Sequence, residues 1–282
     1  METLTGARLH RVALLLAALL LAACAGRKMP GSWKDRDITI DGEQNEWPGL
    51  LAAPKGQHIT VGTMNDADYL YLLVSTADRP TMGQILRRGL VLTIKSPSDK
   101  GKFLQITYPK PRQPGDRAAA RGRGGSGGRR PDWEREVAGL AETQPWFLLR
   151  GPGREDLIEL PLWSESGIRL GLGISNAGQL VWEIRLPLGT TPENRYALQA
   201  APGQNLAISL ATSTPNFDRQ GPRRGAGGGR RGGGRRPGGG AGFGGGFSGG
   251  PAGGQPGRGA MQALNYKFII QLAAPEQAAS NP

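Results

Sequence analysis

The sequence predicts an all-β protein, an antiparallel sandwich or barrel, carrying two Arg/Gly-rich insertions expected to be disordered. Three observations carry that expectation. Short segments of alternating apolar and polar residues recur along the 282-residue chain. Clusters of turn-forming residues separate them. The net positive charge and most of the glycine excess fall in two stretches that show no such alternation.

Residues 1–23 carry Arg8 and Arg11, followed by twelve uncharged residues from Val12 to Ala23. A helix spanning a bilayer needs about 20 apolar residues. This stretch therefore reads as a secretory signal or as a short buried helix. It ends Leu21-Ala22-Ala23-Cys24, and Cys24 is the only cysteine in the chain. The ending resembles the lipobox of bacterial lipoproteins. That resemblance implies cleavage before Cys24, a diacylglyceryl group on its thiol and membrane anchoring without a spanning helix. Ala25, in place of an aspartate, favours the outer membrane. Residues 24–36 then form a tether.

The strands follow in order. Residues 58–64 and 69–75 form a hairpin about the turn Asn65-Asp66-Ala67-Asp68. Residues 90–94, 102–108 and 156–160 are three more. Residues 168–174 and 179–186 pair across Ser175-Asn176-Ala177-Gly178, and 206–210 and 265–272 complete the set. In the 179–186 strand, Leu180, Trp182, Ile184 and Leu186 share one face. Gln179, Val181, Glu183 and Arg185 share the other, which is the pattern of a strand buried on one side. Ala77–Arg88 is the one stretch read as a short helix. Around the strand at 156–160, residues 131–166 read as irregular.

Two segments interrupt this order. Residues 111–131 hold six Arg, one Asp and six Gly; residues 219–260 hold eight Arg, no acid and 21 Gly. Their charges are +5 and +8, against +12 for the whole chain, and the signal carries +1, so the remainder is −2. They contain 27 of the 46 glycines. Such segments cannot bury enough apolar surface to offset the ordering of their backbone. They are expected to be long flexible loops, and a long loop closes at modest cost because that cost grows logarithmically. The sequence pI of about 10.4 therefore belongs to the insertions and not to the fold.

Ile38-Thr-Ile-Asp41-Gly42-Glu-Gln-Asn-Glu46-Trp47 resembles the opening of family 9 carbohydrate-binding-module-like (CBM9-like) domains. Asn65-Asp-Ala-Asp68-Tyr69-Leu70-Tyr71-Leu72 resembles their hairpin. Val181-Trp-Glu183-Ile-Arg-Leu186-Pro187 resembles a late strand, and 265–272 fits the closing one. The resemblance implies a β-sandwich of jelly-roll type over residues 37–274, interrupted at 111–131 and 219–260, with a tail at 275–282. It also implies carbohydrate as the ligand.

Sugar recognition needs open indole faces with a few placed polar groups. Of the six tryptophans, Trp47 and Trp182 fit core positions and Trp33 lies in the tether. Trp133, Trp146 and Trp163, with Glu155 and Asp156, are the candidate ligand-binding residues. Glu134 and Glu142 lie in the same stretch. The alternative, which the pattern favours, is that the three indoles cap the ends of the sandwich. Asp41-Gly42 fits a turn with Gly at positive φ and Asp bonding its own backbone. Asp66 and Asp68 fit a turn, or two ligands of a hard cation, and two are too few for a calcium site alone.

No catalytic residue, metal site or cofactor is expected. One cysteine excludes a disulfide framework and a Cys-based zinc site. His58 is the only histidine after the signal, and no nucleophile elbow, H-E-x-x-H or P-loop occurs. The leading expectation is a non-catalytic, exported, lipid-anchored envelope module that binds carbohydrate. The alternative is an envelope scaffold whose Arg-Gly loops engage an anionic polymer or a protein. A glycan-active hydrolase ranks below both. Arg-Gly runs with Phe243 and Phe247 also resemble nucleic-acid-binding segments. Export through Cys24 argues against a nucleic-acid partner.

Overall fold

The computed structural model describes residues 27–96, 103–112, 132–152, 156–192, 194–213 and 263–275. The chain divides into two compact units, residues 1–214 with 263–282, and residues 215–262. The second lies wholly outside the described residues, as do the expected lipobox at 21–24 and most of the expected insertions.

The strands are β1 (Lys28–Pro30), β2 (Ser32–Trp33), β3 (Leu51–Ala52), β4 (Thr60–Asn65), β5 (Tyr69–Thr76), β6 (Leu90–Lys95), β7 (Leu104–Tyr108), β8 (Trp146–Arg150), β9 (Leu157–Pro161), β10 (Arg169–Ile174), β11 (Leu180–Pro187), β12 (Asn205–Thr212) and β13 (Asn265–Gln271). Two helices, α1 (Arg79–Arg88) and α2 (Trp133–Thr143), join them. One sheet has the order β1-β13-β12-β6-β7-β8-β9; the other is β10-β11-β5-β4-β2, with β3 also on β4. All pairings are antiparallel except β1 with β13 and β2 with β4. The expected all-β antiparallel sandwich is what forms.

The core lies between the sheets. Leu70, Leu72 and Val74 of β5 and Leu180, Trp182 and Ile184 of β11 belong to the same buried cluster as Leu92, Ile106, Ile208 and Phe268 of the other sheet. α1 covers one end. Asp78 caps it, accepting from the Thr81 amide at 2.9 Å, and Gly89 at φ 78 ends it.

Three expectations change. First, β11 is buried on both sides: Val181 and Glu183 are 0% exposed. The segment 38–52 folds over the outer face of the six-stranded sheet. It builds a second cluster of Ile40 and Trp47 with Met64, Tyr71, Leu73 and Val181. Alternation read in one strand cannot reveal a covering layer supplied from about 140 residues away in sequence. Second, the described part of the expected tether is built into both sheets. β1 pairs with β13 and β2 pairs with β4, and the Gly31 amide between them donates to the Gln271 carbonyl at 3.0 Å. Strands of three and two residues are too short to show a period. Third, the stretch expected to be irregular contains α2 and β8. Asp132 caps α2, and Val137 and Leu140 are its buried positions; in β8, Phe147 and Leu149 point inward.

Two stretches of the described chain, ending at Arg112 and Ser213, run out at one end of one sheet. Tyr108 pairs with Leu90, and Leu90 with Thr212, in a single cross-strand row. Just beyond, the Arg112 amide donates to the Arg87 carbonyl at 3.1 Å and the Ser213 amide to the Gly89 carbonyl at 3.2 Å. Both ends flank the C-terminus of α1. Arg112, within the expected first insertion, is held by Glu136 at 2.6 Å.

Candidate functional site

The motif residues meet around one carboxylate. Glu183 Oε1 accepts from Trp47 Nε1 at 2.7 Å, and Oε2 accepts from the Gly42 amide at 2.9 Å and the Asp41 amide at 3.2 Å. Gly42 has φ 84, and Asp41 Oδ1 accepts from the Glu43 amide at 2.9 Å, so the Asp-Gly turn forms as expected. The turn backbone lies so close to β10 that a Cβ on Gly173 would overlap the Gly42 carbonyl, and one on Gly171 would lie 2.8 Å from the Gly42 nitrogen. Burial pushes the Glu183 carboxyl up to about 7 against the pull of its donors. A perturbed acid often marks an active site. This one is sealed, and all three donors belong to the covering segment. Its role is to fasten residues 41–47 to the sheet.

Asp66 is a turn residue in the same sense. Its Oδ1 accepts from the amides of Asp68 at 2.9 Å and Tyr69 at 2.7 Å. Its Oδ2 takes the Tyr71 hydroxyl at 3.0 Å and lies 3.4 Å from Lys34 Nζ. Burial, followed by the Asp66 charge, pushes the Tyr71 hydroxyl well above its ordinary range. Among the described residues no group of three or more His, Cys, Asp or Glu could hold a metal ion, and no helix is long and apolar enough to cross a membrane. His58 is exposed just before β4.

The candidate tryptophans are placed differently from one another. Trp133 opens α2 and is half-buried against the core cluster. Its Cη2 would lie 3.5 Å from a Cβ on Gly83 of α1, and its Nε1 is buried without a partner. Its indole is less open than those of the other two. Trp146 is 44% exposed and Trp163 59% exposed; with Leu157 they are the large exposed hydrophobics among the described residues. Trp146 pairs with Pro161 across the β8–β9 ladder. Trp163 follows Pro161 by two residues, while Leu160 and Leu162 pack on the core. Alternation therefore turns both indoles to the outward side of the same corner. The Arg169 guanidinium lies 5.2 Å from the centre of the Trp163 ring. A cation in that position fixes the ring and leaves its other face open.

Asp156 is exposed at the opposite end of β9, beside the Leu157–Arg150 pair. Seven residues of extended chain separate it from Trp163, about 23 Å at strand rise, so the fold does not bring Asp156 to the indoles. Glu155 lies outside the described residues. The polar groups that do join this face are Arg169, and Glu159 with its partner Lys110 at 2.8 Å. Glu159 was missed, although its alternation with Ile158 and Leu160 could have marked it. Nothing in the sequence marks Arg169, because its place depends on the bridge between Trp163 and Arg169.

No family model matches the sequence, and no curated protein matches it. The chain is similar in structure to a family 9 carbohydrate-binding module from Caldicellulosiruptor kristjanssonii. The form in complex with glucose is 11% identical, with a TM-score of 0.30 over 66% of this chain and 78% of the module. The form in complex with cellotriose is 10% identical, with a TM-score of 0.31 over 67% and 78%.

Proposed function

We propose that this chain is a non-catalytic carbohydrate-binding module of the cell envelope, held at the membrane, the outer one where two exist, by lipid on Cys24. The observation that carries the sugar reading is the pair of open indoles, Trp146 and Trp163. They stand on one outward corner, with Arg169 and Glu159 nearby, in a protein whose other tryptophans are buried or half-buried. Indole faces stack on the C–H face of a pyranose while polar side groups take its hydroxyls. The buried carboxylate Glu183 is occupied in fastening the fold and adds no catalytic group to that corner. The anchor reading rests on the Leu21-Ala22-Ala23-Cys24 sequence.

Titration of the full chain against a panel of soluble glycans, followed by tryptophan fluorescence, tests the first part. Trp146→Ala and Trp163→Ala are expected to weaken binding at least tenfold while leaving the melting temperature within about 2 °C, since exposed substitutions cost little. A wild-type chain that binds no glycan ends the sugar reading. Cys24→Ser tests the anchor: the protein is expected to leave the membrane fraction or to remain uncleaved, and unchanged anchoring refutes it.

One observation favours a second reading, an envelope scaffold that engages an anionic polymer or protein through its basic segments. The described chain ends at Arg112, in the basic segment 111–131, and at Ser213, ahead of the basic segment 219–260, both beside α1, whose last turn carries Arg87 and Arg88. Deleting both segments distinguishes the readings. The module loses no sugar binding, whereas the scaffold loses its partner.

A further inference from the structure

The outward face of the seven-stranded sheet can be mapped residue by residue from the strand registers. One cross-strand row runs Leu157, Arg150, Gln105, Thr93, Ser209, Lys267 from β9 to β13. The next row holds Lys95, Ala207, Ile269 and Lys28. Trp146 stands on the same face at its β8 end. Across these seven strands the charged residues are Lys28, Lys95, Arg150, Lys267 and a single acid, Glu159. Glu159 is neutralised by Lys110. Small side chains at Ala207 and Ser209 leave a shallow groove, with Lys95 and Lys267 on its two sides.

We propose that this face binds an acidic polysaccharide, laid across the strands from the indole of Trp146 towards Lys95 and Lys267. The inference rests on the carbohydrate reading and specifies the ligand's charge. The occupant follows from charge complementarity. The face is cationic although the chain outside the insertions and signal has a net charge of −2, so its charge is local. Lys95 and Lys267 are exposed. They lie two strands and two residues apart, about 12 Å at standard sheet spacings. The hydroxyls of Thr93 and Ser209 lie in that interval, and the Gln105 amide on β7, which donates to the Thr93 hydroxyl at 3.2 Å, continues the row towards β8. A polymer with carboxylates at regular intervals and hydroxyls between them matches that sequence of groups. Nucleic acid matches it poorly, because Phe268, the aromatic residue beside the groove, is buried in the core and offers no ring on which bases could stack. From Trp146 to Lys267 is four strand spacings across and four residues along, about 23 Å at standard sheet spacings, which is room for several sugar units.

The test uses the full chain with polygalacturonate, which has one carboxylate per sugar, and its fully methyl-esterified form as the neutral counterpart. Affinity is measured at low salt for wild type, for Lys95→Gln with Lys267→Gln, and for Trp146→Ala. The wild type is expected to bind the acidic polymer more tightly. The double lysine variant is expected to lose about three- to tenfold of that affinity, the range for a pair of exposed charge contacts, and to keep its affinity for the neutral form. Trp146→Ala is expected to weaken both. Equal binding of both polymers, or a double variant that binds the acidic one like wild type, overturns the proposal while leaving the carbohydrate reading intact if Trp146→Ala still loses binding. Failure to bind either polymer, with no other glycan bound, removes the reading and the proposal together. Single-stranded DNA that displaces polygalacturonate and itself depends on the two lysines assigns the face to nucleic acid and overturns it as well.

Discussion

Glu183→Gln replaces the carboxyl that fastens residues 41–47 to the sheet while keeping the shape of the side chain. An amide can present its oxygen to the Gly42 and Asp41 amides, 2.9 and 3.2 Å from the present Oε2. Its NH₂ then faces Trp47 Nε1, which now donates at 2.7 Å. Two donors oppose each other in a site with no water access. Leaving a buried donor unpaired costs about 1–3 kcal/mol. The pH dependence follows from linkage. The folded-state carboxyl is pushed up to about 7 by burial, from an ordinary 4.5. Between those values the folded protein holds the proton more tightly than the unfolded chain. The wild type therefore loses stability as pH rises through this window, by at most about 1.4 kcal/mol per pH unit. The variant lacks this titration, so the stability gap between wild type and variant is widest near pH 5 and narrowest at pH 8. Urea unfolding followed by tryptophan fluorescence reads both quantities. Even at pH 8 the midpoint is expected to fall by about 1 M, for slopes near 2 kcal/mol per M. Equal midpoints at both pH values, or a gap that widens from pH 5 to pH 8, would refute the argument. The second result would mean that the three donors outweigh burial and hold the carboxyl below its ordinary range.

Two glycine substitutions are expected to have opposite signs. Gly173→Ala drives a methyl group into the Gly42 carbonyl, an overpacking cost of about 1–3 kcal/mol. Gly139→Ala lies inside α2 with open space around its Cβ and should stabilise by about 0.5–1 kcal/mol; thermal unfolding of the two variants compares them directly. Asn65 clamps the chain after β13. Its Oδ1 accepts from the Ala273 amide at 2.7 Å, and its Nδ2 donates to the Ala273 carbonyl at 3.0 Å. Asn65→Leu strands both backbone groups at a cost of about 1–3 kcal/mol each, and hydrogen exchange should show early loss of protection at Ala273.

The all-β class, the β4–β5 and β10–β11 hairpins and α1 were legible in the chain because each depends on local signals. Those signals are a two-residue period and a turn with Asp or Gly; the Asp78 cap and Pro80 that start α1 are local as well. The near-neutral fold and the basic insertions were legible because charge is additive along a sequence. The candidate site was legible only in part. Composition marked Trp146 and Trp163, but an indole gives no sequence sign of whether its face is open. Trp133 matched the same description and packs between α1 and the core.

The tertiary structure alone decided what the motifs do. Asp41-Gly42 and Trp47 stand about 140 residues from Glu183 in sequence, and they form one hydrogen-bonded cluster with it because the opening segment covers the second face of β11. The glycines of β10 make sense only against that covering backbone. Likewise, Lys95, Lys267 and Trp146 share a face because strand register, which no single strand encodes, sets which residues lie side by side. Alternation determines that a side chain points to one side of its strand. Only the pairing of strands and the packing of layers determines whether that side is core, cover or open surface.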